Sequence, residues 1–211
     1  MTSPTPPAEP AYADRTYRSS AGIAGGALLL ALCLWLGIDA VFQGHGNAPW
    51  LALAVLLCVV PLIVAFSLRP AVFASADRLL VRNPFRTITL PWSAVADVRA
   101  GYSSEVYAHS GRKYQMWAIP VSLRGRKRAA RQQARAAALG DRRGASVSAD
   151  VTDDKARLAA ADQSIRDLRD LAEQGASRES AQGTVSVRWA YEVIAPAVAG
   201  ALVFAVLLAI G

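Results

Sequence analysis

The 211-residue sequence predicts a membrane protein with three transmembrane helices and an α+β cytoplasmic domain. Three observations carry this prediction. Apolar runs at 21–41, 50–68 and 189–210 are long enough to cross a bilayer. Between the second and third runs, short β-rich segments give way to helix-forming sequence. Arg residues flank the runs on one side of the implied membrane only.

Residues 1–20 are rich in Pro, Ala and Ser, and predict a disordered tail. The first run, AGIAGGALLLALCLWLGIDAV, is longer than the apolar core of a signal peptide and follows a polar tail, so it reads as a retained span. Its 21 positions reach roughly 31 Å as a helix, about the hydrocarbon thickness of a bilayer. Asp39, near its end, has no basic partner in the other runs and reads as an end-of-span residue rather than part of an ion path. Gly22 and Gly26 form a GxxxG spacing that permits close helix contact. The second run carries no charge, and the third only Glu192 near its start. Pro61 and Pro196 are tolerated within spans. Cys33 and Cys58 lie in apolar runs and read as small apolar fillers.

Orientation follows from the flanking charge. Arg15 and Arg18 precede the first run, Arg69 follows the second, and Arg188 precedes the third. The loop FQGHGNAP between the first two carries no Lys or Arg. The positive-inside rule therefore places the N-terminus and residues 69–188 in the cytoplasm and the C-terminus outside, in a multi-pass cell-membrane protein. Trp50, Trp189 and Tyr191 sit where interfacial aromatics are expected.

After Pro70 the pattern becomes β-rich. Ala76-Asp77 and Asn83-Pro84 are turn signals, and Thr87 to Leu90 alternate polar and apolar as a half-buried strand does. Ser110-Gly111 marks a further hairpin. Short connections favour antiparallel pairing, giving five or six strands within 71–122. The segments RNPFRTITLPWSAVADV and YQMWAIPV resemble the bacterial PH-like domain of actinobacterial membrane proteins of the low-molecular-weight protein antigen 6 type. The resemblance covers about 69–138. It implies a small, strongly bent antiparallel sheet closed by C-terminal helices. The loop Ala76-Asp77-Arg78 has one base and one acid, so no phosphoinositide site carries over.

The resulting layout is a PH-like domain at 69–140 ending in a basic helix, a flexible loop at 141–151, an amphipathic helix at 152–174 and a linker at 175–188. Thr152 is placed as the cap of the amphipathic helix, with Asp162–Arg166 and Arg169–Glu173 as i,i+4 pairs.

The stretch LRGRKRAARQQAR holds Arg124, Arg126, Lys127, Arg128, Arg131 and Arg135. Between 124 and 143 eight basic residues face one acid, a surplus of seven that equals the net charge of the whole chain. Three readings stand: a solvated helix face, a contact with anionic lipid headgroups, and a contact with an acidic protein partner. Nucleic acid is disfavoured, because no recognition motif or stacking aromatic accompanies the charge. His45 and His109 fall on opposite sides of the membrane, and no nucleophile elbow, phosphate loop or metal-ligand spacing appears. The sequence thus predicts a non-catalytic protein without cofactor or metal, presenting a PH-like binding or scaffolding domain at the inner face. The competing expectation is an accessory subunit of a membrane transport or cell-envelope synthesis complex, recognised through its spans.

Overall fold

The computed structural model describes residues 15–119 and 149–210, the side chains of 149–160 excepted. Three of its helices are long and apolar enough to cross a membrane by length and composition: Ser20–Gln43, Ala48–Leu68 and Tyr191–Ile210. We call the first α1. The second is α2 (Ala48–Ile63) continued by a π-helical turn at Val64–Leu68. Pro61 explains that change of pitch: it cannot donate to the preceding turn, and the helix re-registers after it. The Arg69 amide then bonds to the Val64 carbonyl, five residues back, at 2.9 Å.

Among the described residues there are eight strands: β1 (Arg15–Tyr17), β2 (Ala71–Ala74), β3 (Arg78–Arg82), β4 (Arg86–Pro91), β5 (Val95–Ala100), β6 (Ser104–Ala108), β7 (Lys113–Gln115) and β8 (Ser186–Trp189). All pairings are antiparallel, in one sheet of order β1-β2-β3-β4-β8 and another of order β5-β6-β7. Helix α3 (Ala149–Gly175) packs on β5, and α4 (Tyr191–Ile210) is the third apolar helix.

The period-two alternation of β3 and β4 turns Leu79, Val81, Ile88 and Leu90 inward, where they are fully buried. They meet Val98 and Val106 of the second sheet and Met116 just after β7, and Ile165 and Leu168 of α3 close the space between the sheets. Trp92, at the corner between β4 and β5, is fully buried, and its indole N–H donates to the Ser75 carbonyl at 2.9 Å. Arg169 of α3 clamps the bulged start of β5, donating to the Val98 carbonyl at 2.6 Å and lying 3.5 Å from the Asp97 carboxylate.

Several local expectations change. Arg15–Tyr17, expected within a disordered tail, pair with β2, because the edge of that strand would otherwise leave its backbone groups open. Ser186–Trp189, expected as the end of a linker and the first residue of the third span, pair with β4 for the same reason. Helix α3 begins at Ala149, so Thr152 lies inside it rather than capping it. Arg169 is directed to β5.

Candidate functional site

The helices and the larger sheet meet at one end of that sheet. The registers locate it: Tyr17 lies opposite Val72, Ala71 opposite Arg82, Arg82 opposite Thr87, and Arg86 opposite Trp189. Tyr17 precedes α1 by two residues, Ala71 follows the π-helical turn, and Trp189 precedes α4. Both outer strands of the sheet therefore run directly into apolar helices, and β2 descends from one.

Arg69 is the joint. Its side chain is only 10% exposed. It donates to Glu192 of α4 at 2.7 Å, to the Asn83 carbonyl at 3.2 Å and to the Thr87 hydroxyl at 3.3 Å. One guanidinium thus ties the end of α2, the β3–β4 turn, β4 and the start of α4. Asn83, 5% exposed, extends the joint to the second sheet: its Nδ2 donates to the Gln115 carbonyl at 2.7 Å, and its Oδ1 accepts from the Trp117 amide at 3.3 Å. Phe66 of the π-helical turn stands edge-on to Phe85, ring centroids 5.2 Å apart, and lies 5.7 Å from Trp117.

Within the helices, α4 crosses α2 at Gly200, where a Cβ would fall 2.4 Å from the Cys58 backbone nitrogen. Gly26 of α1 is equally tight, with a Cβ position 2.2 Å from that of Ser67. The GxxxG face is therefore filled within the chain. Asn47, in the loop between α1 and α2, donates to the Leu207 carbonyl at 3.1 Å and ties the opposite end. Asp39 accepts a hydrogen bond from Gln43, one turn along α1.

On the outward face of the larger sheet lies a groove of about 810 Å³, bordered by Phe73, Arg82, Thr87, Arg188 and Glu192. Arg82 and Arg188 are both register partners of Thr87 and so share its face, one strand away on either side. Arg18 and Arg82 each place a guanidinium 5.9 Å from the Phe73 ring centroid.

Elsewhere, Asp97 is held below the usual aspartate range. Its partial burial works the other way but is outweighed by hydrogen bonds from Arg99 and the Val98 amide and by the charges of Arg99 and Arg169. Hydrogen bonds from Ser103 and Tyr107 hold Glu105 low as well. Burial raises the Tyr17 phenol.

The candidate contacts Arg124, Arg126, Lys127, Arg128, Arg131 and Arg135 lie outside the described residues. His109 sits in the β6–β7 turn, its amide bonded to the Ala94 carbonyl at 3.0 Å, and His45 in the α1–α2 loop. Among the described residues no three His, Cys, Asp or Glu side chains come together.

A family model described as bacterial PH domain matches residues 69–181. The chain belongs to this family. The match spans β2 to β7 and α3, the two sheets and the helix that closes them, and it stops short of β1 and β8. No curated protein and no solved structure matches the chain. The family gives the domain a binding or scaffolding character. The Asn-Pro-Phe-Arg and Leu-Pro-Trp segments quoted for the resemblance now have physical roles. Asn83 bridges the sheets, Phe85 meets the π-helical turn, and Trp92 fills the corner.

Sequence reasoning used Arg18, Arg69 and Arg188 only as flanking charges. Their convergence with Arg82 depends on strand register. One signal for β8 was available: residues 184–189, TVSVRW, alternate polar and apolar as a strand does.

Proposed function

We propose that the chain is a non-catalytic integral membrane protein that holds its PH domain against the cytoplasmic face of the cell membrane as a binding or scaffolding module. One observation carries the reading: the outer strands of the domain's sheet, β1 and β8, continue into α1 and α4, so the domain is completed by the segments that lead into the apolar helices. A tether joined through strand pairing, with Arg69 and Asn83 behind it, restricts how the module can turn and presents one end of the sheet to the bilayer.

The partners of this reading are the bilayer, with its anionic headgroups, and a membrane or cytoplasmic protein. The basic run from Arg124 to Arg135 would lie within reach of the inner leaflet, where each Lys or Arg near an anionic surface gains about 1 kcal/mol. No cofactor and no nucleic acid enters. The layout of the sequence supports residues 69–140 as the binding module, carried by three spans.

The orientation is tested by a single cysteine at position 110, on the β6–β7 turn, in a chain with Cys33 and Cys58 replaced by Ala. A membrane-impermeant maleimide should label Ser110→Cys only after the cells are opened. Labelling in intact cells would overturn the proposed placement.

A further inference from the structure

Resting on the membrane reading above, we propose that Arg18, Arg82 and Arg188 form a binding shelf for the phosphate of an anionic lipid headgroup, on the outward face of the larger sheet beside the helix ends. The three residues come from distant parts of the chain: register turns Arg82 and Arg188 to one face, and Arg18 lies beside Phe73 towards the β1 edge of that face. Arg82 and Arg188 flank Thr87 across β3, β4 and β8. Arg18, between β1 and α1, reaches the same level over the far side of Phe73. Among the described residues none of the three has a carboxylate within ion-pair distance, whereas Arg69 beside them is engaged by Glu192, Asn83 and Thr87.

Three arginines turned to one face leave it positive, although the Glu192 carboxylate acts on Arg82 across the groove, and an arriving phosphate is attracted there. The guanidinium fork matches phosphate oxygens in geometry as well as charge. Phe73 stands between Arg18 and Arg82 and limits their swing, which reduces the ordering cost of binding. The Thr87 hydroxyl lies in the same row and the groove is open to solvent, so a headgroup can enter from the side.

The occupant follows from position. Helices α1 and α4 both start at this end, and the positive ends of their dipoles add to the arginine field. Trp189 and Tyr191, both well exposed, mark the level at which aromatic rings meet headgroups. Lipid phosphates of the leaflet entered by the helices lie at that height. The shelf occupies the helix end of the groove, which continues along the sheet to Asp77 and Arg78 at its other end.

The test uses the full chain in neutral detergent micelles, titrated with palmitoyl-oleoyl phosphatidylglycerol and, in parallel, phosphatidylcholine, with bound lipid counted by native mass spectrometry. The wild type should prefer phosphatidylglycerol. At low ionic strength R188Q should weaken that binding about fivefold, and the triple variant R18Q/R82Q/R188Q on the order of a hundredfold. Replacing the three by Lys should retain part of the preference. R112Q, between β6 and β7, should leave it in place. A triple Gln variant that binds phosphatidylglycerol like the wild type would overturn the proposal, as would equal binding of phosphatidylcholine. Displacement of the lipid by equimolar inorganic phosphate would assign the shelf to a free anion and also overturn it. Alkaline extraction of wild-type membranes tests insertion separately: loss of the protein to the supernatant would sink the spanning reading, whatever the micelle titration gives.

Discussion

Asn83→Ala tests the joint between the two sheets. The substitution removes the donor to the Gln115 carbonyl and the acceptor of the Trp117 amide, at 2.7 and 3.3 Å. An unsatisfied buried group costs about 1–3 kcal/mol. Gln115 and Trp117 are both partly wet, so the lower part of that range applies, and the two losses together come to about 2–3 kcal/mol. For a domain of this size, that lowers the thermal midpoint by about 8–12 °C. The assay is thermal unfolding of the full chain in detergent, followed by circular dichroism.

Asn83→Asp sharpens the test. Asp keeps the acceptor for Trp117 but points a second oxygen at the Gln115 carbonyl. At pH 7 the variant should be at least as unstable as Asn83→Ala. The repulsion raises the native pKa of the new carboxyl above the ordinary value of about 3.9. The stability recovered on protonation is therefore complete below that ordinary value and disappears as the pH rises through the raised native one. Lowering the pH from 7 to 5 should restore part of the midpoint in Asn83→Asp and none in Asn83→Ala. A midpoint shift below about 4 °C for Asn83→Ala, equivalent to less than about 1 kcal/mol, would refute the reasoning.

Two further outcomes follow from the same structure. Gly200→Leu should force α4 away from the α2 backbone at Cys58, lowering the thermal midpoint in detergent and weakening engineered disulfide formation between α2 and α4; Gly200→Ala should do the same by less, and an unchanged midpoint in both would contradict the close crossing. Asp97, whose native pKa lies below its ordinary value, contributes stability that is complete above about pH 4 and is lost as the pH falls through the lower native value. Asp97→Asn should reduce the midpoint at pH 7 and show a smaller further loss between pH 4 and 2 than the wild type; parallel acid profiles would exclude this role for the carboxylate.

By itself the sequence determined the parts set by periodicity and composition. The three apolar helices are written as long runs with at most one charge each, and their ends agree with the runs to within a few residues because the pattern changes abruptly at Arg18, Arg69 and Arg188. The strands from β2 to β7 are legible because alternation, Asn83-Pro84 and Ser110-Gly111 impose local geometry that few residues can satisfy. Tertiary structure decided what closes the sheet edges. A three-residue strand such as β1 has no local signature, and it forms because β2 offers unpaired backbone groups a fixed distance away. The Arg18, Arg82 and Arg188 shelf belongs to the same class. Those residues are far apart along the chain, and only the register of β3, β4 and β8, with the turn from β1 into α1, brings their charges to one face.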